Sequence, residues 1–257
     1  MVKGLYTAYT GMLNQQNKMD VISNNMANAA TTGYKKEGSL AQSFDSVLAV
    51  KIKDQTVGVT AQPIGTMNLG VKIGENYTDY SQGAFKTTEN TYDLALSGNG
   101  FFCIEFTNKA GQTSTKYTRD GSFTLNVDGY LVTKDGDYVL DRNGRHIQLD
   151  PLATSSIDES GTIYQNNQVV ATIGLQDFED YNYLEHYGEN YYQPVEGAEF
   201  IDADAHMFSG YLEASNVQVV SEMVELISIT RAYESNQKVI QTIDSTLDKA
   251  VNQLGQV

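Results

Sequence analysis

Val219-Val220-Ser221-Glu222-Met223-Val224-Glu225-Leu226-Ile227-Ser228-Ile229-Thr230-Arg231-Ala232-Tyr233 opens the stretch whose reading decides the fold. From there to the chain end, apolar side chains return every three or four residues as Leu226, Ile229, Tyr233, Ile240, Ile243, Leu247, Ala250 and Leu254, with Asn236 polar in the same register. That spacing puts them on one face of a long helical tail running from Gly210 to Val257, narrowing to a heptad seam toward its end. Val219, Val220, Met223, Val224 and Ile227 widen the face at its start, so the first turns can meet more than one neighbour. The other end of the chain carries a second stripe of Leu5, Tyr9, Met12, Met19 and Met26, interrupted by Gln16 and Ser23. The two ends are natural partners. On these residues alone the pair is either a hairpin closing a globular domain or an element of assembly.

The N-terminal helix is expected from about Val2 to Met26. Gly4 and Gly11 each weaken it by up to about 1 kcal/mol relative to alanine, and Asn14, Asn17, Asn24, Asn25 and Asn28 add further poor helix formers. Its order must therefore come from packing. Asn28-Ala29-Ala30-Thr31-Thr32-Gly33-Tyr34-Lys35-Lys36 then reads as a rigid corner, in which Gly33 takes the positive φ that stops a helix and Tyr34 buries its ring. Ser39 to Val50 is expected to form a short helix with Leu40, Phe44, Val47 and Leu48 inward. From Lys51 to Phe85, short runs such as Val57-Gly58-Val59 and Asn68-Leu69-Gly70-Val71-Lys72-Ile73 predict weak strands and extended loop, because Gly65, Gly70, Gly74 and Gly83 leave no room for a long helix.

The middle reads as β structure. Tyr92 to Ile104 is a strand, a Gly98-Asn99-Gly100 turn and a second strand, followed by turns at Asp128-Gly129, Asp135-Gly136 and Asn143-Gly144. These separate short β-rich runs at Ser122 to Val127, Tyr130 to Thr133, Tyr138 to Leu140 and Arg145 to Leu149, and such turns are strong hairpin signals. Gly161 to Gly174 adds a further hairpin, with Val169, Val170 and Ile173 as core candidates. The expected fold is mainly β with long N- and C-terminal α-helices: a discontinuous helical-hairpin domain around an antiparallel β central domain. The expected boundaries are 1–35 with 210–257 for the terminal helical part, 36–89 for an extended arm and 90–209 for the β domain.

Composition narrows the function. The 257 residues carry a formal charge of −15, and the excess is confined to one stretch. Between Arg145 and Arg231 there are 15 acidic residues and no lysine or arginine, while the rest of the chain has 17 of each sign. Such a surface repels polyanions, so nucleic-acid binding is disfavoured. The single cysteine, Cys103, excludes an intrachain disulfide and, lying after two phenylalanines, reads as a buried inert thiol. The N-terminus lacks the apolar run of a secretory signal, and no 18 consecutive apolar residues occur, so no transmembrane segment and no cleaved signal peptide are expected.

Signs of chemistry are weak. Asp141-x-Asn143-Gly144 approaches a calcium loop, but Val139 stands where its first ligand belongs and Asp150 replaces the terminal glutamate. His146, His186 and His206 show no paired spacing. No glycine run has the context of a nucleotide site. The carboxylates and tyrosines of 177–204 are a mix that a glycan hydrolase could use, although tryptophan is absent. No catalytic residue, metal or cofactor is expected.

Ile22-Ser23-Asn24-Asn25-Met26-Ala27-Asn28-Ala29-Ala30-Thr31-Thr32-Gly33-Tyr34-Lys35, with Phe44 beyond, resembles the N-terminal signature of the bacterial flagellar axial proteins, the rod and hook family. The resemblance continues through Gly98-Asn99-Gly100-Phe101-Phe102, Tyr117-Thr118-Arg119-Asp120-Gly121-Ser122-Phe123 and Gly129-Tyr130-Leu131-Val132-Thr133. It ends in Gly210-Tyr211-Leu212-Glu213-Ala214-Ser215-Asn216-Val217, Glu222-Met223-Val224 and Arg231-Ala232-Tyr233-Glu234-Ser235-Asn236, so it covers almost the whole chain. Ser215 is placed to cap a helix beginning near Val217.

The resemblance implies a structural subunit of the flagellar basal-body rod that polymerises helically into the drive shaft between motor and hook. It implies export unfolded through the flagellar type III apparatus, residence outside the cytoplasmic membrane, and other rod proteins, the hook protein and the ring bushing as partners. The assembly residues it marks are Leu5, Tyr9, Met12, Met19, Asn24, Asn25, Asn28, Gly33 and Tyr34 at one end. At the other they are Leu212, Ser215, Asn216, Met223, Leu226, Ile229, Tyr233, Asn236, Ile240, Ile243, Leu247 and Leu254. Two stretches depart from the pattern: Pro194-Val195-Glu196-Gly197 replaces a Ser-Gly turn, and Val139 to Ile147 is closer to the proximal-rod members whereas the tail is closer to the distal ones. The other reading is a surface binding module, or adhesin, with a β head on a helical stalk.

Overall fold

The computed structural model describes residues 2–51, 62–109, 111–188 and 190–252. It is mainly β, with antiparallel sheets and one long helix toward each end of the chain. Two compact units divide the chain: the first comprises 1–27, 37–79 and 218–257, the second 28–36 and 80–217. The expected boundaries therefore shift. Residues 28–36 and 210–217 belong with the β structure, and the expected arm is split at Asp79/Tyr80.

The first unit contains α1 (Val2–Ala27), β1 (Glu37–Ser43), β2 (Val47–Lys51), β3 (Gln62–Met67), β4 (Val71–Thr78) and α2 (Val219–Asn252). Both helices lie close to the expected positions, but the tail, expected from Gly210, is helical only from Val219, two residues past the start expected from the Ser215 cap; Tyr211–Glu213 is strand, and Ser215 Oγ accepts from the Val217 amide in the turn before the helix. The expected helix over Ser39–Val50 does not form. β1 pairs antiparallel with β4, Glu37 opposite Thr78 and Ser43 opposite Val71, and β2 pairs with β3. The cause is non-local. Strand pairing supplies hydrogen-bond partners to a segment whose helical pattern is too short to nucleate alone. Leu40 and Val47, expected inward, are exposed, while Phe44 is half-buried against the Tyr6 ring at 6.2 Å. The Val57-Gly58-Val59 run lies outside the described residues.

The second unit runs through β5 (Phe85–Thr87), β6 (Leu94–Gly98), β7 (Phe101–Thr107), β8 (Thr113–Thr118), β9 (Thr124–Leu125), β10 (Leu131–Val132) and β11 (Tyr138–Val139). It continues with β12 (Ser155–Ile157), β13 (Thr162–Gln165), β14 (Gln168–Thr172), β15 (Leu175–Phe178), β16 (Leu184–Tyr187), β17 (Tyr191–Pro194), β18 (Phe200–Ile201), β19 (Ala205–Ser209) and β20 (Tyr211–Glu213). The main sheet is ordered β16-β17-β8-β7-β11-β10-β9, with β15 also on β7 and β18 on β15. A separate sheet is ordered β12-β13-β14, and β6 pairs with β19 and β5 with β20. Arg145 to Leu149 joins only through isolated bridges, Leu140 to His146 and Tyr130 to Gln148.

Alternation along β7 builds two cores, since neighbouring strand residues face opposite sides. Phe102 and Ile104 enter a cluster with Leu94, Leu96, Phe123, Leu131 and Ile163. Phe101 and Cys103 enter an aromatic cluster with Tyr117, Phe178 and Tyr192. Tyr181, half-buried, packs on Tyr80 at 4.8 Å in this second cluster, so part of the tyrosine-rich 177–204 segment is core. Val169 and Val170, expected in the core, are exposed; only Ile173 is buried. The reason is a bulge: the register jumps between Ile163 and Tyr164, leaving Val170 as an extra residue on β14.

Burial raises the Cys103 thiol from 9.0 to about 12, so it stays protonated and unreactive at neutral pH. A bulky thiol reagent should label the native protein far more slowly than the denatured one; equal rates would place Cys103 elsewhere. The sign of the linkage also follows. In the unfolded chain the thiol ionises near 9, so this group's contribution to stability is complete below that pH and is lost as pH rises toward about 12.

Candidate functional site

The two helices of the first unit meet in antiparallel register. A Cβ added to Gly4 would touch Ile243 Cδ1 at 3.8 Å, and one added to Gly11 would come 3.1 Å from Asn236 Nδ2. Asn25 Nδ2 lies 3.4 Å from Glu222 Oε2. Steps of seven and fourteen residues along α1 match equal steps backward along α2, a heptad relation. The two glycines that weaken α1 are thus positions of close approach.

The expected α2 seam is visible in the burial. Leu226, Tyr233, Asn236, Ile240, Ile243 and Leu247 are half-buried and Ile229 is buried. Leu254 lies outside the described residues. On α1, Leu5, Met12 and Met19 are half-buried, with Ala8 and Ile22 buried in the same stripe. Tyr9 and Met223 differ from the rest: both are exposed.

A second face of α1 explains its polar residues. Thr7 Oγ1 donates to the Leu69 carbonyl at 3.4 Å, and Asn17 Nδ2 to Ser39 Oγ at 2.8 Å. Asn25 clamps the first residue of β1 from both sides, donating to the Glu37 carbonyl at 2.8 Å and accepting from its amide at 2.9 Å. An asparagine side chain that reproduces a strand's pairing is a poor helix former put to structural use. Asn24, in contrast, is exposed.

Both helices also leave a second set of apolar side chains uncovered. Tyr6, Tyr9 and Leu13 are exposed on α1, and Val220, Met223, Val224 and Ile227 on α2, with Val220 at 76% and Val224 at 64%.

In the second unit the expected corner residues come together with those preceding α2. Gly33, at φ 68°, donates to the Glu213 carbonyl at 2.8 Å, and a Cβ there would collide with the backbone of Arg119 and Asp120. Tyr34 is buried, edge-on to His186 at 6.5 Å. Asn28 Oδ1 accepts from Thr31 Oγ1 at 3.2 Å. Asn216 Oδ1 accepts from the Lys36 amide at 2.7 Å, while its Nδ2 donates to Ser81 Oγ at 3.1 Å. Leu212 is buried opposite Lys86 in the β5–β20 pair.

At the centre is an ion cluster that the sequence reading did not find. Glu213, fully buried, binds Lys35 Nζ at 2.6 Å through Oε1 and Arg119 Nη1 at 3.5 Å through Oε2. Its Oε1 also accepts from the Gly83 amide at 2.9 Å; Lys35 donates to the Ser81 carbonyl and Arg119 to that of Gly98. The signal in the sequence was one charged residue in each of three separate motifs, none of which names its partners.

Among the described residues, no reactive constellation accompanies these contacts. His146 stacks on Tyr138 at 4.4 Å with Nε2 3.3 Å from Glu105, and His186 packs against Tyr192 at 5.3 Å. In the calcium-like turn, Asp141 accepts from Asn143 and Arg145. Among the described residues no three histidine, cysteine or carboxylate side chains are grouped to hold a metal, and no helix is long and apolar enough to cross a membrane.

Three family models match the chain: the flagella basal body rod protein over residues 5–35, the flagellar hook protein FlgE/F/G D1 domain over 95–165, and the flagellar basal body rod FlgEFG protein C-terminal region over 209–254. The flagellar basal-body rod protein FlgF of Caulobacter vibrioides is 34% identical over the full length of both chains. FlgG of Bacillus subtilis is 35% identical, covering 98% of this chain and 99% of its own, and the flagellar hook-basal body complex protein FlhO of the same organism is 32% identical over the whole of both.

Proposed function

The chain belongs to the flagellar basal-body rod protein family, and from that premise we propose that the α1–α2 pair and its β1–β4 ribbons form the assembly element of the subunit. The family makes it a structural component of the rod and not an enzyme. The adhesin reading is not favoured by similarity that runs the length of rod proteins.

One observation carries the finer reading: a helix pair that already shares a seam still exposes a second apolar set, Tyr6, Tyr9 and Leu13 with Val220, Val224 and Ile227. A monomer gains nothing from such a surface, whereas copies stacked by a non-closing contact bury it repeatedly and grow an open filament. In this reading the discontinuous helical hairpin bundles with those of neighbouring subunits, and Asn28, Gly33, Tyr34, Leu212, Ser215 and Asn216 brace the chain where it passes from helix to β structure. The subunit is exported through the flagellar apparatus and assembles outside the cytoplasmic membrane. Other rod proteins and the hook protein are its axial neighbours, and the ring bushing surrounds it.

Val224→Asp tests the outward face separately from the seam. Its side chain is exposed in the single chain, so the melting temperature should change little, while self-association and growth of hook and filament should fall sharply. Wild-type assembly by this variant would remove the outward face from the interface.

A further inference from the structure

The β unit exposes aliphatic side chains where three turns meet. In the first, Asn126 Oδ1 accepts from the Asp128 and Tyr130 amides, and Val127 is left 100% exposed. Leu149 donates to the Gly129 carbonyl at 2.7 Å, tying this turn to a second, in which Asp150 Oδ1 accepts from the Leu152 amide and Leu152 is 96% exposed. Gln165 clasps the backbone of Asp150 from both sides, its Oε1 accepting from the amide and its Nε2 donating to the carbonyl, each at 3.0 Å. Gln165 also opens the third turn, the β13–β14 hairpin, where Asn166 and Asn167 sit at φ 50° and 62°. The bulge beyond it turns out Val169, 61% exposed, and Val170, 43% exposed.

A lone exposed valine needs no explanation. Four aliphatic side chains on three turns bonded to one another, two of them fully uncovered, form a patch of the kind that marks a binding surface. Hairpin tips are ordinarily polar.

Charge indicates what covers it. The unit holds 9 basic and 21 acidic residues, a net of −12, so two copies repel wherever their charges face each other. Within its acidic stretch, however, residues 160–176 carry no charge at all. The patch borders that neutral segment, with Asp128 and Asp150 at its edge and no lysine or arginine on any of the three turns. A cationic partner finds few charges to pair with there, whereas a second acidic copy meets its least repulsion.

We propose that the Val127, Leu152 and Val169–Val170 rim of the β unit is a contact for a second copy of this chain. The contact is apolar and is opposed by like charge, so salt strengthens it; contact with a cationic partner would weaken with salt. The proposal rests on the reading of the chain as a self-assembling subunit and adds a surface outside the helices.

The test is sedimentation of the full chain at low and high sodium chloride, for wild type, a rim variant Leu152→Asp/Val170→Asp and a tail variant Ile240→Asp/Leu247→Asp. Wild-type association should rise with salt, and the rim variant should associate about tenfold more weakly or worse with an unchanged melting temperature. The tail variant reports on self-assembly through the helices and separates the two failures. Unchanged association of the rim variant beside a collapsed tail variant overturns the rim contact alone, as does wild-type association that falls with salt. Full association of the tail variant instead overturns the helical reading on which the rim rests.

Discussion

Cells whose only copy of this protein carries Ile240→Asp and Leu247→Asp are expected to build no hook or filament and not to swim, while the purified variant keeps its β circular dichroism and a cooperative melt. Both side chains are half-buried in the α2 seam, beside the position where Ile243 meets Gly4. Each loses apolar burial and brings a carboxylate into a partly dried seam, at a cost of roughly 2 kcal/mol or more per site. The defect recurs at every subunit, so growth fails even where one helix pair would only be weakened. Phe102, Leu131 and Ile163 belong to a separate core in the other unit and should not register the change. Normal motility with the variant stably incorporated would remove the tail from assembly. Loss of the β unit's melt would show that the two units unfold as one.

Glu213→Ala should be the most damaging single change in the β unit. It leaves Lys35 and Arg119 buried without their shared carboxylate and deprives the Gly83 amide of its acceptor. Breaking a buried ion pair by deleting one partner costs about 3–5 kcal/mol, which in a unit of this size lowers the melting temperature by about 10 °C or more. The control is Lys35→Met combined with Glu213→Leu. This removes the strongest ionic contact from both sides and should melt above the alanine variant, because an uncompensated charge is worse than a missing pair. A Glu213→Ala protein that melts like the wild type would mean that water reaches the cluster and compensates it.

The helical ends were legible because a helix writes its period locally. The register of Leu226, Ile229, Tyr233, Asn236, Ile240, Ile243 and Leu247 appears again in the burial of α2. Hairpin turns were equally local: Gly129, Gly136 and Gly144 all take positive φ where Asp-Gly and Asn-Gly had marked turns. Position 33 joins them, as its neighbours suggested.

Tertiary structure decided the rest. Ser39–Val50 gave two strand segments because partners further along the chain supplied pairing edges that no local pattern could announce: Val71–Thr78 for Ser39–Ser43 and Gln62–Met67 for Val47–Val50. Val169 left the core because one extra residue on β14, Val170, broke the alternation that would otherwise have put Val169 on the same face as the buried Ile173. Asn17 and Asn25 of α1 read as helix weakeners until β1 was placed beside them. Lys35, Arg119 and Glu213 each stand in a recognisable motif, yet an ion cluster is a property of three positions far apart in the chain, and the burial of a charge depends on who else is there. By itself the sequence determined the periods, the turns and the excess of negative charge, since each is set by residues within a few positions of one another. Which faces are covered, which strands pair and which charges are buried were decided only by the tertiary fold, because those depend on partners that local sequence does not name.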